Sequence, residues 1–210
     1  MKIGIIGSGN IGANAARLFV RAGHEVTLSN SRGGQGLEVL VAELGEKAKV
    51  ATIEEAARFG EVVLVAIPFG KFRTLPANAF EGKVVIDAGN YYPERDGKFA
   101  ELDRDETTSS ELMASQLKGA RLVKGFNTIW FKHLVTQDNT SAPLEERRAI
   151  FIAGDDSGAR EIVARLIEEI GFATVDTGFL HEGGRRQQPG TAIYNKDVTA
   201  KEAAALLSAD

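Results

Sequence analysis

The chain has 210 residues, no cysteine, and a formal net charge of -4 from 25 basic and 29 acidic residues. The missing cysteines exclude disulfides, a thiolate nucleophile and thiolate-ligated metal, and fit a cytoplasmic protein; the scattered basic residues give nucleic-acid binding little electrostatic support. A chain of this length buries about 70% of its unfolded surface, and no run approaches the roughly 20 apolar residues of a membrane helix, so a soluble protein with no membrane partner is expected.

The first residues, MKIGIIGSGNIG, carry one positive charge and then an apolar run broken by glycines. That run is too short for a signal peptide and reads as a buried strand over residues 2–6. Further strands are predicted at 25–29, 49–52, 62–67, 83–87, 121–126, 149–153 and 173–176, alternating with stretches of helical period. Ile11, Ala15, Leu18, Phe19 and Ala22 fall on one helix face, with Gly23 as its stop. Ala159, Ile162, Val163, Leu166, Ile167 and Ile170 repeat the design, capped by Asp155 or Asp156 and followed by Gly171. Thr52 with Glu55, and Thr199 with Glu202, have capping-box spacing. The pattern predicts an α/β, Rossmann-type, mostly parallel sheet of about eight strands with helices on both faces. It reads as one domain over 1–210: a dinucleotide-binding core at 1–130, then a sheet extension and C-terminal helix at 131–210 that do not form an independent domain.

Three long polar segments, 88–107, 128–148 and 178–198, each follow a predicted strand. In a fully parallel sheet all three leave from the carboxyl edge, where ligands bind.

GSGNIG, residues 7–12, matches GxGxxG directly after a buried strand and at the start of a helix. Gly7 permits the tight turn, Gly9 the approach of a pyrophosphate, and Gly12 close packing of helix on strand. The helix start offers free N–H groups and partial positive charge to phosphates. About twenty residues on, a carboxylate ordinarily holds the ribose hydroxyls of NAD; here stand Asn30, Ser31 and Arg32. A carboxylate repels the 2′-phosphate of NADP, whereas a guanidinium holds it in two hydrogen bonds. The bland alternative is a polar turn, since SRGGQG is rich in turn residues. After this glycine motif, NADP(H) is the expected cofactor.

GSGNIG, SNSR, VLVAIPFG, VVIDAGN and LVKGFNTI, in that order, together resemble the NADPH-dependent coenzyme F420 reductases, a family related to the cytoplasmic domain of the STEAP metalloreductases. The resemblance implies that Ser8, Asn10 and Ile11 contact the pyrophosphate through backbone, that Ser31 and Arg32 clamp the 2′-phosphate, and that Ile67 and Pro68 pass the ribose and nicotinamide. It places Phe126, Asn127 and Thr128 beside the nicotinamide and the acceptor cleft. Each has a structural alternative: Pro68 suits any strand end, and Asn127 can cap a turn. Asp87 and Asn90 read as turn residues.

The implied function is an NADP(H)-dependent oxidoreductase passing hydride to or from a small-molecule acceptor, with F420, FMN or FAD as candidates. Hydride transfer needs two rings held close and little else from the protein, so no catalytic residue and no metal ligand is singled out. His24 reads as structural; His133 and His181 lie in loops expected near the cleft. Trp130 and Phe131 either stack on a planar acceptor or cover the core. The stretch HEGGRRQQPGTAIYN, residues 181–195, fits an anion-attracting wall, a solvated loop or a contact in a homodimer. A redox sensor without turnover, or a small reductase of another organic substrate, stays open.

Overall fold

The computed structural model describes residues 1–207. Eight strands, β1 (Lys2–Ile6), β2 (Glu25–Ser29), β3 (Ala48–Val50), β4 (Val62–Val65), β5 (Val84–Asp87), β6 (Arg121–Gly125), β7 (Ala149–Gly154) and β8 (Ala173–Asp176), make one sheet in the order β3-β2-β1-β4-β5-β6-β7-β8. Every neighbouring pair is parallel except β6 and β7. The central β4, VVLV, is buried throughout, the continuous apolar run expected of a strand covered on both faces. It ends two residues before the predicted limit, because Pro68 has no N–H for the ladder. β6 ends at Gly125, since Phe126 turns away at φ +64°.

The helices are α1 (Asn10–Arg21), α2 (Glu38–Leu44), α3 (Ile53–Phe59), α4 (Pro93–Asp96), α5 (Ala100–Asp103), α6 (Ser109–Gln116), α7 (His133–Thr136), α8 (Ser157–Glu169), α9 (Glu182–Arg186) and α10 (Ala200–Leu207). Residues 208–210, the end of the predicted C-terminal extension, lie outside the described residues. The stripes of α1 and α8 pack on one face of the sheet, with Ile3, Leu64, Ile86 and Ile150; Ala22, expected on the first stripe, is instead the exposed C-cap. On the other face α3 and α6 bring Ala56, Ala57 and Met113 against Ile6, Val63 and Val85. Of the two candidate caps before α8, Asp156 accepts from Ala159 N at 2.7 Å. Asp155 instead accepts from Leu180 N at 2.9 Å. Both expected capping boxes form, and Thr108 with Glu111 makes a third at α6.

The reversed β7 corrects one expectation. With β7 and β8 antiparallel to the first six strands, segment 178–198 leaves from the opposite edge of the sheet. It then crosses the face over β6 and β7 and reaches the carboxyl edge at its far end, where Asn195 N donates to Thr128 O at 3.0 Å. Gly183 allows this close crossing, since a Cβ there would stand 2.5 Å from Thr177 O, and Gly184 beside it passes over the stem of Lys124 with room to spare.

Candidate functional site

After β3 the chain crosses back to the other side of β1, and the carboxyl edge opens between β1 and β4. Such switch points form the ligand crevices of open α/β sheets. Two pockets meet there and share Gly9, Ala66, Ile67 and Pro68. The one on the β2 side holds about 690 Å³; the one toward β5 and β6 holds about 400 Å³.

The glycine turn builds the floor. Gly7 has φ +99°, and a Cβ there would stand 2.3 Å from Ala66 O. A Cβ on Gly12 would stand 1.8 Å from Gly7 O, so Gly12 acts through packing and lines neither pocket. Gly9 has no atom within 4 Å of where its Cβ would be, which leaves open space at the start of α1. Ala13 N is the first to close a helical bond, to Gly9 O at 2.9 Å, and the earlier amides of that turn have no intrahelical acceptor. Ser8 faces the larger pocket and Asn10 and Ile11 the smaller.

In the larger pocket Asn30, Ser31 and Arg32 come together. Asn30 serves mainly to shape the turn: its Oδ1 accepts from Arg32 N at 2.9 Å and Gly34 N at 3.0 Å, while its Nδ2 donates to Gln35 O at 2.9 Å. The Arg32 guanidinium has no partner among the described residues. Sequence reasoning missed Lys71, on the 3₁₀ turn Phe69–Thr74 after β4, which lines the same pocket and is likewise unpaired. Among the described residues no Asp or Glu lines this pocket.

The smaller pocket gathers Ile67, Pro68, Phe126 and Asn127 as expected, together with Asn90. The Phe126 side chain is buried and packs edge-on against Phe19 at 6.3 Å, so only its backbone, held at positive φ, shapes the wall. A non-glycine residue in that region stores strain, a feature concentrated at ligand sites. Asn127 Nδ2 donates to Asn90 Oδ1 at 3.1 Å and to Gln187 O at 2.8 Å. Asn90 Nδ2 returns a bond to Asn127 O at 2.8 Å. Both donors of Asn127 are thus used, and its buried Oδ1 lacks a partner.

Beneath this wall lies a polar strut. The fully buried Lys124 Nζ donates to Ser110 Oγ at 2.9 Å and Gly89 O at 3.2 Å, and Ser110 Oγ donates to Asp87 Oδ2 at 2.7 Å. Burial lowers the Lys124 pKa, and Asp87 opposes that shift. The strut fixes the loop that carries Asn90; Asp87, read as a turn residue, is the buried last residue of β5.

The remaining candidates separate. Trp130 lines the smaller pocket and is 45% exposed, which places it on the wall rather than in the core. His24 sits away from the crevice, between the N-terminal amine and Glu169. His133 abuts the outer side of Trp130 at 5.2 Å, and His181 pairs with Glu111 at 3.0 Å; neither lines the crevice. Tyr92, Arg95 and Tyr194 do line it, and all three escaped sequence reasoning because they come from loops that only the fold brings together.

Fold and crevice together define a dinucleotide-binding α/β protein. Residues 2–91 match the family of coenzyme F420-dependent NADP oxidoreductases, which bears out the resemblance carried by the sequence motifs. Mouse (Mus musculus) metalloreductase STEAP2 is 25% identical over 189 residues, 86% of this chain, and the match spans 34% of STEAP2, about a third of its length. A hypothetical protein of Sinorhizobium meliloti has a similar structure, with a TM-score of 0.82, 29% identity and 95% of each chain covered. A protein of Arthrobacter sp. FB24 described as a "putative f420 dependent nadp-reductase" has a TM-score of 0.72 at 21% identity, covering 100% of this chain and 91% of its own. The last likeness shows the fold.

Proposed function

We propose that the protein is an NADP(H)-dependent oxidoreductase that passes hydride between the nicotinamide and a planar acceptor of the flavin or deazaflavin type, such as FMN, FAD or F420, in the cytoplasm. The observation that carries this reading is the larger pocket, where, among the described residues, Arg32 and Lys71 present two unpaired cations from separate loops and no carboxylate faces them. A 2′-phosphate supplies the charge those cations lack; the two hydroxyls of NAD do not. A hydrogen bond to a charged group contributes about 1.5–3 kcal/mol, or roughly tenfold to over a hundredfold in affinity.

The remaining residues fit the rest of the dinucleotide. The open approach at Gly9 and the free amides of α1 suit a pyrophosphate. The unpartnered Oδ1 of Asn127 suits a donor such as the carboxamide N–H of nicotinamide, since leaving a buried acceptor unmatched costs about 1–3 kcal/mol. NADPH bound along this crevice supplies a hydride at the nicotinamide ring. Ile67, Pro68 and the Phe126 backbone hold that ring's surroundings dry and fixed, and Trp130 offers a flat face for an acceptor.

The reading is tested by mixing NADPH-loaded protein anaerobically with FMN, FAD and F420 and following the NADPH absorbance. Acceptor-dependent loss with one of them is expected. Binding of NADPH with no oxidation by any of the three would contradict hydride transfer to such an acceptor.

A further inference from the structure

Tyr92 and Tyr194 meet across the smaller pocket, 102 positions apart in sequence, with their hydroxyls hydrogen-bonded to each other. Each is fixed from behind. Tyr92 caps α4, its N–H donating to Asp96 Oδ2 at 3.0 Å; the Arg95 guanidinium lies 4.9 Å from its ring centre and donates to Asn90 O at 2.6 Å. Tyr194 N donates to Thr191 O at 3.2 Å, and the next residue, Asn195, is held at φ +54° by its bond to Thr128. Two phenols carry two protons, and their mutual bond uses one. The second is left to donate to whatever lies in the pocket. Burial raises the Tyr194 pKa above the ordinary phenol value, opposed by the Asn195 side chain and Arg95, and the phenol holds its proton throughout the neutral range. Among the described residues Arg95 is the one charged side chain lining this pocket, and its pairing with the buried Asp96 carboxylate at 2.8 Å holds it beside the Tyr92 ring.

Resting on the oxidoreductase reading above, we infer that Tyr194 is a catalytic proton donor, relayed through Tyr92, and that the acceptor is a conjugated carbonyl compound that takes up a proton together with its hydride. The hydride, a hydrogen with two electrons, forms a bond to a ring atom of the acceptor as the C–H bond of the dihydronicotinamide breaks. The displaced π electrons reach the conjugated carbonyl or imine end of the acceptor, which takes the Tyr194 proton. Tyr194 regains a proton from solvent through Tyr92. The sum is NADPH, acceptor and one proton giving NADP⁺ and the dihydro-acceptor. Flavins and quinones both have this chemistry, and the two probes distinguish them.

Wild type, Tyr194→Phe and Tyr92→Phe are titrated with NADP⁺ by calorimetry, and then, NADP⁺-loaded so that no hydride moves, with FMN and with menadione by fluorescence. NADP⁺ affinity should stay within about twofold in both variants, while Tyr194→Phe weakens the acceptor that binds by about tenfold, the loss of one good hydrogen bond. In single turnovers with that acceptor, Tyr194→Phe should slow NADPH oxidation by about 100-fold, the low end of general acid catalysis, and abolish the solvent deuterium isotope effect of the wild type. Tyr92→Phe, which keeps the donor and removes the relay, should lose less rate and shift the pH profile. If wild type fails to bind NADP⁺, the oxidoreductase reading itself falls. If NADP⁺ binds but neither probe does, or both variants match wild type in acceptor affinity and isotope effect, the proton-donor assignment is overturned.

Discussion

At the scale of single residues, the glycine turn was legible because its demands are local. Gly7 needs positive φ and Gly12 has a carbonyl where a Cβ would go, and both follow from a tight strand-to-helix turn. Gly12→Ala should therefore cost about 1–3 kcal/mol, as overpacking does, seen as a lower midpoint in urea. Arg32 was legible through its distance from that turn, whereas Lys71 was not, because nothing in its own neighbourhood marks the β4 loop as facing the β2 loop. Lys71→Ala should weaken NADPH by about tenfold and NADH by much less, measured by calorimetry. His24 titrates with folding: burial first, then the nearby N-terminal amine, lowers its pKa below 6.5 although Glu169 raises it. The unfolded chain then binds the proton more readily, so this contribution to stability is complete above pH 6.5 and declines as pH falls below it. His24→Gln should flatten the dependence of the urea midpoint between pH 7.5 and 5.5 relative to wild type.

At the scale of elements, the strands and the two long amphipathic helices were legible from period and caps. The direction of β7 was not, because a buried apolar run reads the same in either direction and its orientation follows from where the preceding loop delivers it. That reversal is why 181–195, unassigned in sequence, acts as a strap: Gly184 passes over Lys124 of β6, and the end of the segment sets Tyr194 at the crevice. α2 was missed although Leu37, Leu40, Val41 and Leu44 form a helical stripe packed on the core, because its seven residues follow a glycine-rich turn and none of them is fully buried. The capping box at α6 follows a run rich in turn residues, yet Thr108 is fully buried and accepts from Glu111 N at 3.2 Å. Thr108→Ala should lower stability by about 1 kcal/mol, the typical value of an N-cap, read from chemical denaturation.

At the scale of the whole molecule, one core cluster joins Ile3, Leu64 and Ile86 of the first strands to Ile150, Ile152 and Phe172 of the extension. We propose on that basis that residues 131–210 do not fold apart from 1–130. Denaturation followed by Trp130 fluorescence and by far-ultraviolet circular dichroism should give coincident transitions; two separated transitions would mark independent units. The crevice depends on the same unity, since the β1, β2 and β4 loops line its larger pocket and the returning strap completes the smaller one. The proposed selection of NADP is tested most directly by calorimetric titration of NADPH and NADH into wild type and Arg32→Glu. Wild type should prefer NADPH by about tenfold or more, and Arg32→Glu should lose NADPH affinity strongly while changing NADH little. Equal loss of both nucleotides, or no loss of either, would contradict a 2′-phosphate site at Arg32.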